Sequence, residues 1–261
     1  MTGTIKLHYS EAGQGPPVVL LHGFPLTSAI WQEQQQQLSD HFRVITPDLR
    51  GHGRSPATAG AYEMETLASD VLALLDSLAI TKAAILGHSM GGYVTLAAWK
   101  LAPQRFTALG LIDSQAAADT DEARENRFKL AGKVATEGAQ AAATAMIPRL
   151  FAPDLADRDP MIEQVRQMIL QTSPAAIIGA LKGLAARDDA TARLATINVP
   201  ALILTGDKDQ IIPLVRAETM AAQLPRGTLA VLHGCGHMPM LEQPAATTAA
   251  LRQFLNGLLR D

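Results

Sequence analysis

Six short apolar runs, at residues 18–21, 43–46, 83–86, 108–112, 201–205 and 228–232, recur along the chain with helix-like segments between most of them. Runs this short, with few polar members, suit strands buried on both faces, as parallel sheets require. The helical period lies between them: Met64, Leu67, Val71, Leu74 and Leu78 are three and four residues apart and place one apolar stripe on a helix. Leu251, Phe254, Leu255 and Leu258 repeat the pattern near the C-terminus. Strands alternating with helices predict a mostly parallel sheet flanked by helices. Residues 4–10 add β character for one further strand, so seven or eight strands are expected.

The alternation is interrupted once. Residues 114–190 are Ala-rich and helical in pattern, with Pro148, Pro153, Pro160 and Pro174 as breakers, and the strand pattern resumes at Pro200. A helical insertion between two strands is expected to form a cap over the strands' C-terminal ends, where open α/β sheets place ligand sites. The chain therefore reads as a core of residues 1–113 and 191–261 with a helical cap of 114–190. The glutamine run at 34–37 reads as the solvated face of a helix.

With 261 residues, 48% of them hydrophobic and 18% charged, the chain can bury one large core. A net charge of -3 without any Lys/Arg cluster argues against nucleic-acid binding. The single cysteine, Cys235, excludes an internal disulfide and fits a reducing cytosol. The N-terminal residues lack the pattern of a signal peptide, and no apolar run approaches the about 20 residues that span a bilayer. The expectation is a soluble, cytoplasmic monomer or small homo-oligomer that acts on a small molecule, with no nucleic-acid or membrane partner.

The run at 83–86 leads directly into Gly87-His88-Ser89-Met90-Gly91-Gly92, and the residues after it read as helix. This is G-x-S-x-G in the strand-turn-helix context it needs: a turn so tight that Ser89 is strained and exposed, with small residues at 87 and 91 letting strand and helix approach. A serine hydroxyl is a poor nucleophile without a base oriented by a carboxylate. His237, in Gly236-His237-Met238-Pro239 after the last strand-like run, is the expected base. Three acids could orient it: Asp113 at the end of one strand, and Asp207 and Asp209 on the loop after another. Asp207 is close enough to Gly206 to shape the turn, whereas Asp209 can reach across to the His237 loop. Backbone N–H groups of Met90, after the serine, and Phe24, in His22-Gly23-Phe24-Pro25, are the expected oxyanion donors.

At these residues the chain resembles the α/β-hydrolase superfamily, in its single-domain, helical-cap branch of esterases, lactonases and cofactor-free haloperoxidase-like enzymes. The resemblance covers nearly the whole chain. It rests on His22-Gly23-Phe24-Pro25, on Asp48-Leu49-Arg50-Gly51-His52-Gly53-Arg54-Ser55, on the serine turn, on Gly206 to Pro213 and on Gly236-His237. It implies that the triad acid stands fourth in a G-x-x-D-x-x-x-P loop, which is Asp209, and that no cofactor or metal is required.

The expected reaction is hydrolysis of carboxylic esters with small apolar acyl groups. Lactonase activity is the nearest alternative, because Met146-Ile147-Pro148-Arg149-Leu150-Phe151 looks like the cap stretch of enol-lactonases. Phe24-Pro25 resembles the haloperoxidase-like branch, which keeps perhydrolysis open. Carbon–carbon bond hydrolases typically have Asn where His88 stands, and a non-catalytic ligand receptor has no positive support. Epoxide hydrolases use a carboxylate nucleophile and cap tyrosines, and residues 114–190 contain no Tyr. Hydroxynitrile lyases carry a lysine where Met238 stands. His88, Met146, Leu150 and Met238 are expected to line the pocket, and His22 and His52 to brace loops by hydrogen bonds.

Overall fold

The apolar runs assemble into one sheet in the computed structural model, which describes residues 3–155 and 160–259. In chain order the elements are β1 (Tyr9–Ala12), β2 (Pro17–Leu21), α1 (Gln32–Leu38), β3 (Arg43–Pro47), α2 (Met64–Ser77), β4 (Ala83–His88), α3 (Met90–Leu101) and β5 (Phe106–Ile112). Four helices follow: α4 (Asp121–Glu137), α5 (Ala139–Leu150), α6 (Pro160–Gln171) and α7 (Pro174–Ala186). The sheet then resumes with β6 (Ala201–Gly206), α8 (Leu214–Gln223), β7 (Gly227–Leu232), α9 (Pro239–Glu242) and α10 (Pro244–Gly257).

The seven strands lie in the order β1-β3-β2-β4-β5-β6-β7, with β1 antiparallel to β3 and every other pairing parallel. The first strand falls later than residues 4–10 suggest. Ile5 N–H donates to Asp70 Oδ1 at 2.9 Å and His8 N–H to Ser55 Oγ at 2.8 Å. Side chains thus take the donors of that stretch, and the ladder begins only at Tyr9 opposite Pro47.

After β2 the chain crosses to β3 on one side, and from β4 onward it moves to the other side. The order therefore reverses between β2 and β4, and the crevice at their C-terminal ends is where such sheets hold ligands. The loop carrying Phe24 and the turn carrying Ser89 both open there.

The prolines of the interruption act unequally. Pro160 and Pro174 are the first residues of α6 and α7, where a missing N–H removes no helical bond. Pro148 does not break its helix but lies inside the last turn of α5. Helix α7 presses on the core so closely that a Cβ on Gly183 would lie 1.7 Å from Tyr62 O, and Tyr62 N–H donates to Gly179 O at 2.9 Å. Asp119 pairs with both Arg127 and Arg187, and Arg187 lies 4.3 Å from the Tyr93 ring centroid on α3.

Within the core, Arg50 and Asp70 form a buried bidentate pair at 2.7 and 2.8 Å. Gln34 does not belong to a solvated face: it is buried, and its amide donates to Met240 O at 3.1 Å, tying α1 to α9. No single helix among the described residues is long and apolar enough to cross a membrane.

Candidate active site

Ser89 sits between β4 and α3 with φ of +50° and ψ of -114°, a region that non-glycine residues rarely occupy. Sequence explains how the turn closes. A Cβ on Gly87 would lie 2.1 Å from the Gly91 carbonyl, and one on Gly91 would lie 2.6 Å from Leu21 O. Ser89 N–H donates to Ile112 O, and the Ser114 hydroxyl donates to Ser89 O, both at 2.9 Å. The serine is half-buried between buried His88 and Met90, on the wall of a cavity of about 330 Å³.

Phe24 and Met90 line the same cavity. Met90 opens α3, where the first backbone N–H groups have no acceptor within the helix. The Phe24 loop is held from behind: Leu49 N–H donates to His22 Nε2 at 2.9 Å, so the His22 proton sits on Nδ1 and is donated to Gly23 O at 2.8 Å. A Cβ on Gly23 would lie 3.1 Å from Ser89 Cβ, which brings this loop against the serine.

His237 and Asp209 come from the loops after β7 and β6. Both side chains are buried, and His237 Nδ1 lies 2.7 Å from Asp209 Oδ2. A Cβ on Gly206 would lie 2.2 Å from Cys235 O, so the two loops meet only because residue 206 has no side chain. Asp209 Oδ1 accepts from Ile211 N–H at 2.7 Å and Ile212 N–H at 3.0 Å. Burial opposes ionisation of Asp209, but His237 and these N–H groups outweigh it and hold the carboxyl below its usual range. Asp207 instead bridges surface loops, accepting from Gly234 N–H at 2.7 Å and lying 3.0 Å from exposed His233.

Asp113, just past β5, is also buried, with φ of +42°. One ligand atom each from Asp113, Asp209 and His237 lie within 4.8 Å of one another, a group that could in principle share a cation. The 2.7 Å His237–Asp209 contact is a hydrogen-bond length and leaves no room for an ion between those two atoms.

The model of the alpha/beta hydrolase fold matches residues 16–244. This chain belongs to the α/β-hydrolase family. An esterase from Thermogutta terrifontis is 39% identical, with a TM-score of 0.94 over 97% of this chain and 94% of that one. The enol-lactonase from Burkholderia xenovorans LB400 is 30% identical, with a TM-score of 0.89 over 96% of each chain. The dihydrolipoyllysine-residue acetyltransferase component of the acetoin cleaving system of Pseudomonas putida is 34% identical over 92% of this chain, which spans 64% of that protein. Hydrolysis is the reaction class that the family and the likeness to the esterase and the enol-lactonase support.

Of the four side chains expected to line the pocket of this α/β hydrolase, Met146 does so. His88, Leu150 and Met238 are buried and lie outside the cavity wall. His88 and Leu150 act from behind: His88 Nε2–H donates to His237 O at 2.8 Å, and Leu150 O accepts from His237 N–H at 3.0 Å. Burial, and then the neighbouring His237, push His88 down to about 3, so it stays neutral. The cavity wall is mixed rather than wholly apolar. Leu130, Leu181 and Ile212 stand beside Gln115, Asn126 and Arg149.

Glu242 escaped the sequence reading. Its Oε2 accepts from Gly236 N–H at 3.0 Å and Ala152 N–H at 2.9 Å, and its Oε1 from Met238 N–H at 2.9 Å. One carboxylate thus grips the His237 loop on both sides and fastens it to the end of α5. The available signal was its spacing, an acid five residues after the expected base.

Proposed function

We propose that this α/β hydrolase cleaves carboxylic esters of small molecules through an acyl-serine intermediate on Ser89. The observation that carries the reading is a strained, half-buried serine on a cavity wall combined with a buried His237–Asp209 pair at 2.7 Å. With Nδ1 turned to Asp209, His237 has Nε2 left to take the serine proton. Ser89 Oγ then attacks the ester carbonyl carbon, and the negative charge that forms on its oxygen meets the Phe24 and Met90 N–H groups. His237 passes the proton to the departing alkoxide, and the alcohol leaves. Water, deprotonated by the same histidine, attacks the acyl-enzyme and releases the acid and free Ser89. Asp209 carries no proton in this cycle; its charge stabilises the imidazolium.

Lactones are the second reading, since the chemistry is identical and the chain is 30% identical to an enol-lactonase along nearly its whole length. The mixed cavity wall suits a substrate with an apolar segment and a polar end. Turnover of p-nitrophenyl esters of graded chain length, set against a panel of lactones, ranks the two. Ester turnover that disappears in Ser89→Ala supports the reading. Undiminished turnover by the pure variant removes Ser89 from the mechanism.

A further inference from the structure

The mechanism assigns no role to Asp113, although it is 1% exposed. Its Oδ1 is satisfied twice, by Gly206 N–H at 2.9 Å and by the Thr205 hydroxyl at 3.1 Å. Its Oδ2 is sealed from solvent and receives no donor. An ionised carboxylate offers only acceptors, and burying one of its oxygens without a donor is strongly unfavourable. The nearby acid is Asp209: an Asp113 oxygen, an Asp209 oxygen and a His237 ring nitrogen lie within 4.8 Å of one another. Two charged carboxylates this close repel, and such pairs hold one proton between them.

A single proton on Oδ2 relieves both problems. It turns an orphan acceptor into a donor and replaces a repulsive contact with O–H···O⁻. Asp209 is the member that remains charged, since its oxygens already accept from His237, Ile211 and Ile212. We propose that Asp113 is a neutral carboxylic acid whose Oδ2–H donates to the Asp209 carboxylate, making it a positioning residue for the His237–Asp209 pair. The inference rests on the reading of Asp209 as the triad acid.

Electrostatics agree with the geometry. Burial, and then the Asp209 charge, push Asp113 well above the usual carboxylate range. The titratable groups facing it are Asp209, His237 and Cys235, and burial holds the Cys235 thiol protonated. A neutral donor at this position stabilises the Asp209 charge without adding a second anion near His237. It thereby weakens the pull of Asp209 on the imidazole proton, a pull that loss of the donor would strengthen.

Asparagine is the isostere of the proposed species: its Oδ1 can accept from Gly206 and Thr205 while its NH₂ donates to Asp209. The test is the pH profile of kcat/KM for the wild type, Asp113→Asn, Asp113→Ala and Asp209→Asn. Asp113→Asn is expected to keep kcat within about threefold and to leave the acid limb in place, because no charge is removed. Asp113→Ala, which takes the donor from Asp209, is expected to lower kcat and move the acid limb to higher pH. At neutral pH the infrared spectrum should contain the C=O stretch of a protonated carboxyl that vanishes in Asp113→Asn; this readout stands even where the alanine variant does not fold.

An acid limb lowered by about one unit or more in Asp113→Asn would show that an anion had been removed, and would overturn the proposal. Absence of the carboxyl band in the wild type would do the same. Failure of the triad reading looks different: near-normal kcat in Asp209→Asn with collapse in Asp113→Asn makes Asp113 the acid that orients His237.

Discussion

Asp209 and Asp207 stand two residues apart on one loop and are engaged in opposite ways. The first is sealed against His237, whereas the second bridges Gly234 and exposed His233. Substitution by asparagine separates them by function. On the proposed triad, Asp209→Asn removes the charge that stabilises the imidazolium, and kcat is expected to fall by about 10³ to 10⁴, as in the comparable change to a serine protease triad. Asp207→Asn is expected to leave kcat near the wild-type value, since that side chain serves a surface turn. Steady-state kinetics on one activated ester decide the matter; equal losses in both variants would contradict the assignment.

At the scale of elements, glycine has two opposite meanings in this chain. Gly87 is fixed by contact, because a Cβ there would overlap the Gly91 backbone at 2.1 Å, and neither strand β4 nor helix α3 can yield without moving Ser89. Gly132 lies exposed within α4 and a Cβ there would meet nothing within 4 Å. Gly87→Ala is therefore expected to destabilise the fold by about 1–3 kcal/mol or more through overpacking, and to lose activity out of proportion to stability. Gly132→Ala should stabilise by about 0.5–1 kcal/mol through helix propensity, with kinetics unchanged. Urea unfolding of the two variants tests both signs. A neutral Gly87→Ala would mean that the serine turn tolerates a side chain that its geometry excludes.

Over the whole molecule, buried histidines govern how stability depends on pH. Burial lowers His22, His52 and His88, the last two to about 3, whereas an unfolded imidazole titrates near 6.5. The stability they contribute is complete above about 6.5 and is lost as pH falls toward their folded values, because the unfolded chain then binds the extra protons. Each histidine supplies a slope of up to about 1.4 kcal/mol per pH unit in that window. Asp113 acts in the opposite sense: its folded value is raised, so its contribution is complete below about 3.9 and is lost as pH rises toward the folded value. Three histidines outweigh one aspartate, and the unfolding midpoint is expected to fall between pH 6.5 and 4. Asp113→Asn removes the opposing contribution, so its midpoint should gain on the wild type as pH rises above about 4. Thermal or urea midpoints at half-unit steps measure both slopes, and a flat wild-type curve would mean that these histidines titrate normally.

What the sequence determined by itself is whatever local patterning encodes. Alternating apolar runs and helical stripes carried the α/β architecture, and the interruption carried the position of the four inserted helices. The small residues around Ser89 carried the turn, since close approach of strand and helix is a local requirement. The chain order carried the expectation of His237 after the last strand and of an acid among Asp113, Asp207 and Asp209, with the resemblance pointing to Asp209. Tertiary structure alone decided which neighbours share a buried volume. His88, Leu150 and Met238 read as pocket residues from their positions beside the serine, cap and histidine, yet they back the site, because a side chain's facing is set by the elements packed against it. Gln34 in a polar run, Glu242 on a four-residue helix and Asp113 at a strand end show the same limit. Their partners lie dozens to hundreds of residues away or on a loop whose path no pattern records, and a hydrogen bond or a shared proton exists only once folding has removed the water between them.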